Sequence, residues 1–425
     1  MSYREIVTRP VLVWCAVTAG ARLPVAMAPL AVVFLVRERP GGYSLGAALA
    51  AVYVIGEIVG APLLGVRLNP VRARPALAFG CGFGALGFAG LGLAPGAHPV
   101  FLGGCAFVAG FAPAAVSGAM RALLTEMVPQ RAVSQAMSLE SMLVFAVWAA
   151  APALVTGLAL GVDPTLPLLL QAALMAASVA GLWALPAGWQ AEPSEGGGES
   201  MTRILARAWP VYAMGAGSLT LLALAELILP ALLEQRGIGI GWAGPLLAGF
   251  SIASAVGAFV YGLRSRWPGR LPVQSLVLVL SVAALVALTA VLPYTAAIGA
   301  ALVLAGLLQA PAMLTRNLAL REALPPSALA AGYSVMYAAV GAGYAASGSL
   351  AGGLLQVVAP STAILCGVGL TLLLTLIGAA GERRMRRPAA AGAQAGHGGA
   401  PTAAGTPAEA VGDAGAAADG GARTP

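Results

Sequence analysis

The chain has 425 residues, 59% of them hydrophobic and 9% charged, and a mean hydropathy of +0.87. A water-facing surface takes about 25% charged residues, so a soluble fold is excluded and a polytopic membrane protein remains. The formal net charge is +7 and every basic residue other than two histidines is arginine. Those arginines cluster between apolar runs, which makes the charge a topology signal rather than a nucleic-acid surface.

A crossing helix needs roughly 20 mostly apolar residues. On that ruler the chain divides into twelve spans, at about 11–36, 44–66, 75–94, 98–121, 136–160, 165–186, 209–233, 241–263, 272–292, 296–318, 328–357 and 360–381. Turn chemistry marks the breaks, as in RERPGGYS after the first span and APGAHP after the third. The first run is too long for a signal-peptide core of about 7–15 residues. With the N-terminus in the cytoplasm, most arginines between spans, among them Arg67, Arg72, Arg74, Arg203, Arg264 and Arg270, fall inside. Only Arg37, Arg39 and Arg236 fall outside. By the positive-inside rule both termini are expected in the cytoplasm of a plasma-membrane protein.

Two motifs recur at nearly one spacing. VGAPLLGVRLNPVRAR (Val59 to Arg74) is echoed by VGAFVYGLRSRWPGR (Val256 to Arg270), with Gly65 and Gly262 197 residues apart. LLTEMVPQ and LREALPPS place Glu126 and Glu322, and Pro129 and Pro325, 196 residues apart. The expected fold is therefore all-α and integral to the membrane, as two parallel six-helix repeats. The boundaries are a first bundle at 1–186, a polar cytoplasmic linker at 187–208, a second bundle at 209–387 and a disordered tail at 388–425, where an Ala/Gly/Pro mixture has too little apolar surface to fold.

This organisation resembles the major facilitator superfamily, whose halves are related by an axis along the membrane normal. The loop after the second span is similar to that family's signature. Gly65 and Arg74 match, while Asn69 stands at the aspartate position, Pro70 beside it and Arg72 at the second glycine. In the second copy Gly262, Gly269 and Arg270 match, and Arg266 stands where the acid would be. The departures touch the charge relay of the inner gate, to which Arg67 and Arg264 would also belong. In the fifth span WAAAPALVTG, with Pro152 and Gly157, resembles the pattern of the superfamily's drug:proton antiporters; a proline kink relieved by neighbouring helices explains it equally.

Charge within a bilayer is costly and usually faces the bundle interior or a water-filled cavity. Arg22 in the first span, Glu57 in the second, Arg121 at the end of the fourth, Glu140 in the fifth and Glu226 in the seventh are the candidates. Arg22 keeps its proton and offers a planar fork of donors. It serves either an ion pair, with Glu57 or Glu226 as partner, or a substrate contact. Glu226 is the candidate for proton coupling, which requires a carboxylate that titrates near neutrality. Glu57 and Glu140 read better as caps or as partners of arginines such as Arg121. The third, sixth, ninth and twelfth spans carry no charge, matching the peripheral helices the resemblance implies. Met27, Tyr212, Met214 and Met313 are adaptable lining for a promiscuous cavity, with Tyr333, Tyr337 and Tyr344 as polar contacts between bundles.

Gly82-x-Gly84-x-x-Gly87 is helix packing, since no strand precedes it. Cys15, Cys81, Cys105 and Cys366 lie in apolar runs and lack metal-ligand spacing, and the two histidines are far apart, so no metal, cofactor or enzyme chemistry is expected. The reading is a monomeric secondary transporter working by alternating access, with proton-coupled efflux of a small apolar or amphipathic compound. Its alternatives are uptake of a metabolite or anion and a non-transporting sensor or scaffold.

Overall fold

The computed structural model describes residues 6–40, 42–68, 72–185, 200–264 and 267–395, with backbone alone for 384–395. In chain order the helices are α1 (Arg9–Val36), α2 (Gly42–Arg67), α3 (Ala73–Leu93), α4 (Pro99–Phe111), α5 (Val116–Met127), α6 (Val133–Gly161), α7 (Leu166–Trp183), α8 (Met201–Arg207), α9 (Trp209–Gln235), α10 (Ala243–Gly262), α11 (Leu271–Val291), α12 (Thr295–Ala323), α13 (Leu329–Val357) and α14 (Pro360–Ala395). Lipid offers no hydrogen bonds, so each apolar run satisfies its own backbone as a helix. Eleven described spans are long and apolar enough to cross a membrane, with α4 and α5 forming one of them. α13, at 29 residues, has the length of a twelfth; its glycines, serines and tyrosines dilute its hydropathy. The expected all-α arrangement of membrane-spanning helices is the one observed.

The fourth and tenth spans, expected to end near Arg121 and Leu318, continue as helix through Glu126 and Arg321, within α5 and α12. The linker assigned to 187–208 holds the short helix α8. The tail assigned to 388–425 begins inside α14, which reaches Ala395; residues 396–425 lie outside those described. The fourth span also breaks at Ala112–Ala115, where Pro113 has no amide to donate.

Contacts divide the chain at Glu382, the first compact unit holding all the packed helices and the second covering Arg383–Pro425. Within the first unit, the extended contacts between spanning helices of different bundles are made by α2, α5 and α6 with α10, α12 and α13. Helix association in lipid lacks the hydrophobic drive available in water and depends on close packing of small residues. A Cβ on Gly65 would come 2.6 Å from that of Ser334, and one on Gly118 would collide with the same serine. Ala61 of α2 packs with Ala338 of α13. The repeat-related pair, α6 and α10, meets where the Ser138 hydroxyl donates to the Ala258 carbonyl.

These interbundle contacts gather at one end, the end carrying the α2–α3, α5–α6, α10–α11 and α12–α13 connections. The core of the first bundle runs through that end into Leu314, Leu320, Leu329 and Met336 of the second. The rest of the second bundle has its own separate core, around Ile228, Leu232, Val286 and Ile298. α1 and α9, the first helix of each repeat, make no extended contact with each other.

Candidate functional site

At the closed end lies a buried cluster of charge. Glu140 of α6 is 1% exposed, and its Oε1 accepts from Arg22 Nη2 at 2.7 Å and from Arg121 Nη2 at 2.6 Å. Arg121 Nε adds a third donor at 3.1 Å. Three helices of the first bundle, α1, α5 and α6, are thereby tied to one oxygen. Arg121 also reaches the second bundle: its Nη1 donates to Asn317 Oδ1 at 3.4 Å, and its guanidinium lies 5.6 Å from the Tyr333 ring. Arg121 and Asn317 are 196 residues apart and hence equivalent positions of the two repeats, which meet near the axis relating them. Charge-assisted bonds of this kind are about twice as strong as neutral ones. Two guanidinium groups on one carboxylate leave the cluster one positive charge in excess.

The anticipated partner of Arg22 is thus corrected. It pairs with Glu140, and neither Glu57 nor Glu226 touches it by an ion pair. Its reach toward α5 explains the choice, since Nη2 also lies 3.5 Å from the Ser117 carbonyl. The pairing of Glu140 with Arg121 is the one anticipated. Glu57, anticipated as a cap or an arginine partner, instead accepts from the Tyr337 hydroxyl at 2.6 Å, joining α2 to α13 across the bundles. Arg321 Nη2 bridges to Gln130 Oε1 at 2.9 Å on the same end.

Glu226 lies apart from this cluster, half-buried in α9 in a small pocket of the second bundle shared with Gln309. Met27 and Met214 are buried in bundle cores, 0% and 1% exposed, and do not line an open cavity. The Met214 sulfur instead accepts from Arg316 Nη1 at 2.9 Å. Arg316, fully buried, pairs with Glu382 of α14 at 3.0 Å, a contact that the sequence had not suggested.

The two signature loops differ in how they are held. In the second, Gly269 has φ 89°, a left-handed conformation that glycine takes without strain. Gln274 Nε2 ties the loop down by donating to the carbonyls of Trp267, Pro268 and Gly269, at 3.1, 3.2 and 2.9 Å. Arg264 lies over the Trp267 ring at 5.0 Å. In the first, Arg74 donates to the Leu185 carbonyl, Gly65 meets Ser334 as above, and Asn69 lies outside the described residues. Arg67 closes α2 as its last basic residue, Gly262 ends α10, and Arg270 is the N-cap of α11. Pro152 and Gly157 of α6 are exposed, and a Cβ on Gly157 would touch nothing. Among the described residues no group of three or more His, Cys, Asp or Glu is placed to hold a metal.

The fold is that of the major facilitator superfamily transporters. The human organic anion transporter MFSD10 (TETRAN) superposes with a TM-score of 0.69 at 14% identity, over 87% of this chain and 99% of that one. The E. coli fucose:proton symporter FucP gives 0.69 at 13% identity, over 88% and 98%. A bacterial homologue of the iron transporter ferroportin, in its outward-facing state, gives 0.69 at 14%, over 89% and 99%. No family model and no curated protein sequence matches the chain.

Proposed function

We propose that the protein is a secondary transporter working by alternating access, exporting a small amphipathic compound across the plasma membrane in exchange for protons. The observation that carries this reading is the one-sided closure. Glu57–Tyr337, Arg121–Asn317, Arg321–Gln130 and the glycine contacts with Ser334 all join the bundles at the arginine-rich end. On this reading that end is cytoplasmic by the positive-inside rule, with both chain termini, and the one-sided closure corresponds to an outward-facing state with the inner gate shut. The polar contacts across it are the ones that must break when the bundles rock. Few fixed charges elsewhere in the cavity helices suit an amphipathic substrate, and Glu226 is the carboxylate offered for coupling. The same reading makes the protein a monomer in the bilayer and not an enzyme.

The test is dye accumulation in inverted vesicles under an imposed proton gradient, in wild type and Glu226→Gln. Gradient-driven accumulation that is lost in the variant supports the proposal; absence of gradient-dependent flux across a panel of amphipathic dyes overturns the export reading. A second reading is favoured by the excess positive charge at Glu140: an organic anion as substrate, its acid group competing for Arg22. Flux of amphipathic anions but not of matched cations would select it.

A further inference from the structure

We infer that Glu57 and Tyr337 form a proton-released latch of the inner gate, in which protonated Glu57 exchanges the Tyr337 hydroxyl of the opposite bundle for the Tyr53 hydroxyl of its own helix. This rests on the alternating-access reading and gives the gate a group of its own, distinct from Glu226 in the other bundle.

Among the described residues Glu57 is the carboxylate that bonds across the bundles, its Oε1 accepting from the Tyr337 hydroxyl at 2.6 Å. The bond lies about two turns along α2 from the Gly65–Ser334 contact, toward the open side of the closure, and Glu57 is half-buried there. Arg22 and Arg121 are both engaged by Glu140, and among the described residues Glu57 makes no ion pair. One phenol from the other bundle is therefore what holds its charge. An ionised carboxylate in a low-dielectric span is expensive without a counter-charge, and that cost falls away when Glu57 takes up a proton.

Tyr53 supplies the second observation. It is 1% exposed, stands one turn before Glu57 on the same face of α2, and lies within electrostatic reach of both Glu57 and Tyr337. Its hydroxyl is buried with no hydrogen-bond partner, an unmade bond that a fold carries only at a cost. Ionised Glu57 can only accept, and it accepts from Tyr337. With a proton from the outer cavity on one carboxyl oxygen it becomes a donor, and the Tyr53 oxygen is the unfilled acceptor on its own helix. The bond to Tyr337 meanwhile loses its charge assistance, about half its strength. The other titratable groups on the helices packed against α2 are Arg22 and Cys15 of α1, Arg121 of α5, Tyr333 and Tyr344 of α13, and Cys105 of α4, which faces Gly90 of α3; His98 caps the outer end of α4. The two arginines lie within electrostatic reach of Tyr337 and keep their protons, so Glu57 is the member of this group whose charge can change.

The test reads the gate without a substrate. Full-length protein with its four cysteines replaced carries spin labels at Arg67 and Ser327, on opposite bundles at the closed end, and is measured in lipid nanodiscs between about pH 5 and 9. Acidification of the otherwise unaltered chain should shift the pair toward the longer separation, by about tenfold in the ratio of open to closed, the difference between a charge-assisted and a neutral hydrogen bond. Glu57→Gln, which cannot ionise, should hold the acid distribution throughout. Tyr53→Phe should keep the closed state at high pH and blunt the shift, and Glu226→Gln should retain the shift in full. No shift in the unaltered chain, a shift that survives Glu57→Gln, or one lost in Glu226→Gln overturns the latch; an undiminished shift in Tyr53→Phe overturns the exchange. Because no substrate is involved, absent dye flux with an intact Glu57-dependent shift would count against the export reading and not against the latch.

Discussion

Glu140 is the residue whose loss separates a working charge cluster from incidental contacts. Glu140→Gln keeps the shape of the side chain and removes the charge, leaving Arg22 and Arg121 in a buried site with no counter-ion between them. Removing one partner of a buried pair costs about 3–5 kcal/mol, mostly the penalty of stranding the other charge. Arg22→Ala is a milder change. Glu140 keeps Arg121, with donors at 2.6 and 3.1 Å, and one charge-assisted bond is lost, about 1.5–3 kcal/mol. Glu140→Gln is therefore expected to be the more destabilising by about 2 kcal/mol, the difference between the middles of those two ranges. Reversible unfolding of the purified protein in mixed micelles measures both variants. The double variant should show a coupling of about 0.5–3 kcal/mol, as residues of one network do. An Arg22→Ala cost equal to or above that of Glu140→Gln would refute the shared-carboxylate reasoning. So would a Glu140→Gln variant within about 0.5 kcal/mol of wild type, the range of an ordinary surface change.

Three further outcomes follow from contacts of the same kind. Gly65→Ala places a Cβ 2.6 Å from that of Ser334, so it should spread spin labels placed at Arg67 and Ser327 on opposite bundles. Ser334→Gly in the same chain should restore their separation, and failure of that rescue would remove the close approach as the cause. Glu382→Ala strands the fully buried Arg316 and should cost about 3–5 kcal/mol; Arg316→Met strands a carboxylate that is 11% exposed and should cost less, about 1–3 kcal/mol. Equal costs in micelle unfolding would contradict that asymmetry. Asp163, in the loop between α6 and α7, accepts from the Thr165 hydroxyl at 2.6 Å and the Thr165 amide at 2.8 Å. These bonds favour the carboxylate and lower its pKa below 3.8. Its contribution is present above the unfolded value and is lost as pH falls through the folded one. Asp163→Asn should flatten the acid limb of stability below about pH 4, and an unchanged limb would discard the cap.

The sequence by itself determined the helices, their number and their pairing into repeats. Twenty apolar residues in lipid have one way to satisfy their backbone, so Arg9–Val36 or Leu271–Val291 is legible as a span without knowledge of its neighbours. Two motifs at offsets of 196 and 197 residues were enough to show the duplication, and the absence of charge in α3, α7 and α11 anticipated their place away from the other bundle. Composition also picked out which residues carry charge within the membrane. It did not say where they point. Arg22, Glu57, Glu140 and Glu226 have similar signals in the sequence, and only the packing of α1 against α5 and α6 gives Arg22 to Glu140. The same packing leaves Glu57 to Tyr337 and Glu226 to an apolar pocket. Asn317, Ser334 and Gln309 were invisible because a neutral polar residue in a helix has no periodicity to betray it. Their meaning comes from what stands opposite, and that is settled by how two six-helix bundles meet at one end.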